Sequence, residues 1–542
     1  MNARRTISGL AFAAFDSRFL PVVKISLPNF DLPPRLHLHG FSPWDTDRLW
    51  QALRTGQPPS ALPGDFVLIA EGHTDGMPAT VMASSVVSAL PYFYWVSSDR
   101  QSLAHAATVF QVWRQAGIAW QWNDRALQCL PLLQHTLGDD SLHADIKRMP
   151  PAAVVVHRPG SLEIVVEPFW ETLFDHAPRT DPEAAAASFE RTLAATIGQE
   201  PVALSLSAGY DSRVLLAGAL HLGTKPILGT MGRVQDTDRR IATRLAREFG
   251  LEHRIVELDP RQYLEEAARI VEITSGTKPA NHWHTHLFIR QVQFPAGCAH
   301  LAGSNGEFVR TYFFDKGLAA LVADTLPHSL SALFWRYKYS PDRRLRLATL
   351  DRLRETQHAW AFANIPPLID ASEPTAAGFL DRLDLFYACH RVRHFIGNGL
   401  ALYHATVPTR SPFLDASFVR MGAGLPRRWK LSSRFHRHLI ARFCPRLLDF
   451  PTDDTATSMA QHDRPLYWLR ARPTCDFNIF GEVLELPETK ALLLESPHLD
   501  QFVPRPQREE AYTRRQQPLL GVLLTLHFAA EKIAAAGAGA RS

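Results

Sequence analysis

The chain has 542 residues, of which 46% are hydrophobic and 21% charged, and a formal net charge of +4. That length is too great for one hydrophobic core and implies about two to four domains. The basic residues are mostly Arg scattered without dense clusters, and no run of ~18 uninterrupted apolar residues is present, which argues against nucleic acid or a membrane as the principal partner.

The five cysteines, Cys129, Cys298, Cys389, Cys444 and Cys475, are widely spaced and include no C-x-x-C pair. Neither a disulfide framework nor a zinc site is indicated, and a reducing cytoplasm is the expected setting. The run Ile7 to Phe15 after Arg4 and Arg5 imitates a signal peptide, but it is short, carries Ser8 and Gly9, and stops at Asp16, so it reads as an edge of the first domain.

Residues 1 to about 170 hold short apolar runs separated by Pro, Gly and polar clusters: Gly64 to Ala70, Pro91 to Val96, Ala152 to His157 and Leu162 to Glu167. Their length and their β-branched and aromatic content predict strands of a sheet-rich α+β domain. The tryptophans Trp113, Trp120, Trp122 and Trp283 read as core or rim packing. His176 to Pro182 reads as a linker ending in a helix start, with Thr180 or Asp181 able to cap and Pro182 tolerated in the first turn. A boundary near 175 to 181 follows, dividing the chain into 1–178 and 179–542.

Beyond it, Phe189, Leu193 and Ile197 mark one apolar stripe of a helix. Val202 to Leu206 is a buried-strand candidate, Ser207 to Asp211 a small-residue loop, and Ser212 to Leu222 an apolar helix. Pro226 to Thr230 gives a second strand. Asp238 to Phe249 carries Ile241, Leu245 and Phe249 at helical spacing and stops at Gly250, and His253 to Leu258 gives a third strand. Strand, helix, strand, helix, strand implies a doubly wound parallel α/β sheet, which binds ligands at the carboxyl ends of its strands. His282, His284 and His286 alternate as metal ligands on a strand would, but lack a completing signature and read as surface or groove histidines. After about 320 the sequence turns helical and Arg-rich, with Leu and Phe at helical intervals through 380 to 405, and the Ala- and Gly-rich tail is expected to fray.

The segment Ser205-Leu-Ser207-Ala-Gly209-Tyr-Asp211-Ser212-Arg213 lies between the first of these strands and its helix. Small residues there let backbone N–H groups converge on an anion at a helix start, which describes a phosphate cradle. It is not a Walker loop, since no Gly-Lys-Ser/Thr follows. The Ser207 and Ser212 hydroxyls can donate to phosphate oxygens, and Asp211 offers a carboxylate to the Mg2+ that accompanies ATP.

Here the chain resembles the asparagine synthetase family, whose loop Ser-Gly-Gly-x-Asp-Ser is matched by Ser207-Ala208-Gly209-Tyr210-Asp211-Ser212. The family's next strand ends in a glycine, followed by an acidic residue and Leu-Gly-x-x-His; Gly232, Asp238 and Glu248-Phe-Gly250-Leu-Glu-His253 stand at those places. Gly303-Ser-Asn-Gly306-Glu307 through Tyr312 resembles the family's second nucleotide loop, with Glu307 as its terminal acid and Gly306 where a metal-binding Asp is expected. Arg410-Ser-Pro412-Phe-Leu-Asp415 and Leu425-Pro426 through Lys430 resemble a third block. The resemblance implies an ATP-pyrophosphatase domain with a helical C-terminal part, using ATP and Mg2+. It implies nucleotide contacts at Ser205, Ser207, Ala208, Gly209, Asp211, Ser212, Met231, Gly232 and Gly303, metal ligands Asp211 and Glu307, and catalytic roles for Lys430, Arg437, Tyr312 and Glu307. His436, Arg437 and His438 occupy the region of the family's catalytic lysine, where Arg437 supplies charge but cannot accept a proton.

Gly64-Asp-Phe-Val-Leu and Ile146 to Pro151 look like pieces of the family's glutamine-hydrolysing domain, an Ntn-hydrolase-like sandwich. That reaction needs a cysteine nucleophile at the processed N-terminus. Position 2 is Asn and the first cysteine is Cys129, so the expectation is a retained scaffold without ammonia production. An amine must then come with a substrate. Among the family's branches this points to a lasso peptide cyclase, which adenylates an Asp or Glu side chain of a precursor peptide and closes a macrolactam with its N-terminal amine, beside a leader-removing protease. The alternatives are β-lactam-type ring closure, sugar-acid amidation, or a non-catalytic nucleotide-binding scaffold.

Overall fold

The computed structural model describes residues 27–176, 179–310, 384–452, 458–462 and 478–539. The Ile7 to Phe15 run, Tyr312 and Cys475 lie outside them.

The first part contains β1 (Arg35–Phe41), α1 (Thr46–Arg54), β2 (Asp65–Thr74), β3 (Met77–Ser84), β4 (Phe93–Val96), β5 (Leu103–Ala106), α2 (Val109–Ala116), α3 (Asp124–Leu133), β6 (Lys147–Arg148), β7 (Ala153–Arg158) and β8 (Ser161–Val166). They form an antiparallel sheet of order β1-β2-β3-β7-β8 and a smaller one of order β5-β4-β6. The two-residue period of β2 sorts its side chains. Phe66, Leu68 and Ala70 pack under α1 with Leu49, Trp50 and Leu53. Val67 and Ile69 face the other way, onto Tyr94 of the smaller sheet. That sheet's outer residues Phe93, Ala104 and Ala106 pack on α2 and α3 through Phe110 and Leu130. The layers are therefore helix, sheet, sheet, helix.

After α4 (Phe169–His176) the chain enters α5 (Pro182–Ile197), where Asp181 accepts from the N–H groups of Glu183 at 3.0 Å and Ala184 at 3.3 Å. Of the two candidate caps, Asp181 is the one used. There follow β9 (Val202–Ser205), α6 (Tyr210–His221), β10 (Ile227–Met231), α7 (Thr237–Phe249), β11 (His253–Val256), α8 (Gln262–Glu265), α9 (Ala267–Ile273), α10 (His284–Val292), β12 (Ala299–Leu301) and β13 (Thr409–Arg410). The strands form a parallel sheet of order β11-β10-β9-β12-β13. One face carries α5, α6 and α7 through Phe189, Leu215 and Leu245; the other carries α9 and α10 through Ile270 and Leu287. Strand order reverses between β9 and β12, which opens a crevice at their carboxyl ends.

Three expectations are corrected. The first helix after the small-residue loop begins at Tyr210 rather than Ser212, so Asp211 lies in its first turn, where a carboxylate is favoured by the helix dipole. His282, His284 and His286 lie on no strand: Ala280–His282 is a 3-10 turn and α10 starts at His284, so the alternation does not align three rings. The final helix, Gln517–Gly539, extends into the tail expected to fray, and it is the one helix among the described residues long and apolar enough to cross a bilayer. Its Leu520, Leu523, Leu524 and Ala529 are buried in the same core as Trp283. The tryptophan cluster is packing as expected: Trp120 meets Trp113 and Trp122 edge-on, each at 5.3 Å between ring centres.

The two sheet systems share buried contacts. Gly64 N–H donates to Asp415 Oδ2 at 2.8 Å, and Arg393 donates to Gly138 O at 2.7 Å beside Asp139 at 2.9 Å. Arg148 holds Ala89 O at 2.8 Å, and a Cβ added at Gly397 would lie 1.9 Å from that same oxygen. Because the carbonyl is fixed from its other side, Gly397→Ala is expected to destabilise by about 1–3 kcal/mol, the usual penalty for overpacking. A urea midpoint equal to that of the parent protein would show that the two halves slide freely.

Candidate functional site

The loop after β9 is shaped by its own side chains. Gly209 N–H donates to Ser207 Oγ at 3.2 Å, the Ser207 and Ser212 hydroxyls are 3.0 Å apart, and Ala208 N–H donates to Asp238 Oδ1 at 2.8 Å. Gly209 caps α6 in extended conformation without contributing a side chain. The loop after β12 is pressed directly against it: a Cβ at Gly303 would lie 2.8 Å from Ser212 Cα and 2.9 Å from Ser212 N. Only a glycine at 303 lets these two main chains meet, and they meet at the point where the strand order reverses.

Asp211 stands between them. Its Oδ1 is 2.9 Å from His436 Nε2, an ion-pair contact without aligned hydrogen-bond geometry. Burial alone would raise the Asp211 carboxyl, but the Arg310 guanidinium, His436 and the Gly306 N–H together outweigh it and hold the group below its ordinary value. Asp211 therefore stays ionised at neutral pH. Asp211, Gly303, Ser304, Asn305 and Glu307 line one wall of a cavity of about 320 Å³. Glu307 Oε1 is 3.1 Å from Arg310, while Oε2 is buried and has no hydrogen-bond partner among the described residues.

Of the residues singled out in the sequence, the structure thus brings Asp211, Gly303 and Glu307 onto one cavity wall, with Ser207, Ala208, Gly209 and Ser212 in the turn behind Asp211. Others lie elsewhere. Ser205 does not line the cavity, and its hydroxyl is 2.8 Å from His300 Nε2, across the sheet on β12. Met231 ends β10 and packs against the core, and Gly232 follows it with φ +135° beside Asp236. Lys430 is buried in a separate, smaller cavity behind Glu307, with Trp170 and Phe174. Arg437 is buried and donates to Ser432 O. Its neighbour His436 is the residue of that helix, Arg434–Phe443, that reaches Asp211.

Sequence reasoning missed two features. Asn305 adopts φ +83° and is buried, with both side-chain polar atoms lacking a partner among the described residues at the cavity wall. The same cavity is also lined by Lys278, His282, His284, Thr285, Phe395, Gly399 and Tyr403. A buried Lys in Thr277-Lys278-Pro279 carries no local signal, whereas Asn in a Ser-Asn-Gly run is a recognisable left-handed residue.

The donor set suits a hard cation escorting phosphates: Asp211 and Glu307 supply carboxylate oxygens to one cavity, and Glu307 Oε2, without a hydrogen-bond partner among the described residues, is available to a ligand. A third carboxylate at 306 would require the Asp211 carboxylate or the His436 ring to shift, because a Cβ there would lie 2.4 Å from Asp211 Oδ1 and 2.8 Å from His436 Nε2. Among the described residues no cluster of His, Cys, Asp and Glu is arranged to hold a metal by protein ligands alone.

A doubly wound sheet with a glycine-pinned loop pair at its switch point is the architecture of an α/β nucleotide-binding domain. The family model for asparagine synthase matches residues 185–528, and the chain belongs to that family of ATP-dependent ligases forming carbon–nitrogen bonds. Among curated proteins, none matches the chain.

Proposed function

We propose that the protein is an AMP-forming macrolactam synthetase that activates an Asp or Glu side chain of a precursor peptide and closes the ring with that peptide's N-terminal amine, working beside a leader-removing protease. The reading divides the chain into 1–178, an Ntn-hydrolase-like scaffold that has lost ammonia production, and 179–542, the synthetase. The helix, sheet, sheet, helix layering supports the first assignment.

The observation that carries the choice of a substrate-borne amine is the state of the cysteines. The first in the sequence, Cys129, is fully buried within α3, and burial raises its thiol well above the ordinary range. Cys298, Cys389 and Cys444 are also raised by burial. Among these four cysteines, those of the described residues, no activated thiolate for amide hydrolysis is found.

In the proposed reaction the substrate carboxylate attacks the α-phosphorus of ATP, the bond to the bridging oxygen breaks, and pyrophosphate leaves toward the Ser207–Ser212 turn. The start of α6 and the two serine hydroxyls receive that anion. Mg2+ entering with ATP would be held by Asp211 and Glu307 and would neutralise phosphate charge. The amine then attacks the acyl carbon, AMP departs and the amine loses a proton. Joining both reacting groups on one chain makes this step effectively unimolecular. Arg437 is a fixed positive charge near the Asp211–His436 pair in sequence and cannot take the proton. Lys430 lines the smaller cavity on which Glu307 also borders.

The test is pyrophosphate release and product mass with a synthetic peptide bearing a free N-terminus and an internal Glu. The expected result is ATP-dependent loss of one water from the peptide, abolished by N-acetylation. Turnover confined to small acids would replace this reading with the β-lactam-type or sugar-acid one. ATP binding without turnover on either would leave a nucleotide-binding scaffold.

A further inference from the structure

The cavity lined by Asp211 and Glu307 is also lined by residues of the opposite chemistry. Lys278 is 5% exposed; its Nζ donates to Phe395 O at 2.9 Å and lies 3.8 Å from the centre of the Phe395 ring. His282 and His284 flank it, and Arg391 sits 4.3 Å from the centre of the same ring. No carboxylate among the described residues pairs with Lys278, His282 or His284. The main chain carrying Lys278 is held rigidly: its carbonyl accepts from Trp283 Nε1 at 2.8 Å, and neighbouring Thr277 Oγ1 accepts from Asn398 at 2.8 Å. Phe395 belongs to a π-helical stretch, Tyr387–Ile396, which gives way to α-helix at Gly397. Backbone of this kind is rare and concentrates where a helix has been adapted to a site.

We infer that Lys278, flanked by His282 and His284, is the group that holds the oxygen of the acyl substrate: one carboxylate oxygen before activation, and the carbonyl oxygen of the acyl-adenylate after it. This rests on the proposed adenylation reading and adds the location of the acyl group. With phosphates and their cation at the acidic residues, a buried lysine with no acid to pair among the described residues is the complementary part of the site. The carboxylate oxygen that attacks the α-phosphorus becomes the bridging oxygen; the other, left as carbonyl, stays against Lys278 Nζ. When the amine adds, the developing oxyanion is already opposite a positive group, where stabilisation is most effective. Burial and the Arg391 charge lower Lys278 to about 7, and burial lowers His282 to about 2 and His284 to about 4. An arriving carboxylate would draw a proton onto Lys278.

The experiment measures two affinities by calorimetry on the full chain: for the Mg2+ complex of α,β-methylene-ATP, and for 5′-O-(N-acetylsulfamoyl)adenosine, a stable acyl-adenylate mimic. Lys278→Met is expected to weaken the acyl mimic at least about tenfold while leaving the ATP analogue within about twofold, with Lys278→Arg recovering part of the loss. Equal losses for both ligands would assign Lys278 to the phosphates and overturn the inference. Unchanged binding of the mimic to Lys278→Met, with ATP-analogue binding intact, would overturn it while sparing the adenylation reading. If the parent protein binds neither ligand, the adenylation reading falls and this inference with it. Thermal unfolding of each variant shows whether a loss reflects misfolding, and Lys278→Arg keeps the test decisive if the Met variant is unstable.

Discussion

Asp211→Asn is expected to lower pyrophosphate release by at least about 100-fold, the scale of losing a preorganised electrostatic group from an active site. The substitution keeps shape and removes charge. Asp211 is the carboxylate that the helix start, the Gly306 contact and His436 all converge on, so the Asn variant still fills the space against Gly306 but no longer offers an anionic ligand. A stability measurement separates this from misfolding and carries a pH signature. The carboxyl is held below its ordinary value, so its contribution to stability is present above the unfolded-state value of about 3.8 and is lost as pH falls through the lowered one. The Asn variant lacks that part of the acid dependence. Activity in Asp211→Asn within a few-fold of the parent protein would remove this turn from the reaction altogether.

Gly306→Ala is expected to be nearly as damaging, for a steric reason. A Cβ at 306 would lie 2.4 Å from Asp211 Oδ1, 2.6 Å from its Cγ and 2.8 Å from His436 Nε2. Either the carboxylate or the imidazole must move, and both belong to the Asp211–His436 contact that orients the carboxylate in the cavity. The expected outcome is about 1–3 kcal/mol of destabilisation, as for other overpacked sites, with pyrophosphate release falling at least about tenfold. Gly306→Asp, which restores the residue type that the family resemblance leads one to look for here, is expected to fail in the same way rather than to improve activity. Measured side by side, the two variants separate sterics from chemistry: a gain in Gly306→Asp over Gly306→Ala would mean that the Asp211–His436 pair rearranges to admit a third carboxylate.

The order of β9, α6, β10, α7 and β11 was legible because each element carries its own local signal. Ile241, Leu245 and Phe249 recur at helical spacing and stop at Gly250, which adopts the left-handed conformation at φ +60°. The turn Ser207–Ser212 was legible for the same reason, since small and hydroxyl side chains between a strand and a helix have a chemical meaning that no distant contact alters. Asp181 capping α5 is another such local fact. The alternation at His282, His284 and His286 misled because two-residue spacing alone does not distinguish a strand from a 3-10 turn running into a helix, and Pro279 with the apolar periodicity of Leu287, Phe288 and Val292 decides for the helix.

By itself the sequence determined a parallel α/β domain and a small-residue turn carrying Asp211, while Glu307 was singled out by the family resemblance. The tertiary structure alone decided that β12 docks beside β9, that Gly303 and Gly306 are the glycines on which Ser212 and Asp211 rest, and that His436, rather than Lys430 or Arg437, reaches Asp211. It also decided that Lys278 and Phe395, 117 residues apart in the chain, meet at the same cavity as Asp211 and Glu307. The physical reason is range: hydrogen-bond caps, turns and helical stripes are set within a few residues, whereas a cavity is made by which surfaces the hydrophobic cores press together, and that depends on the whole chain at once.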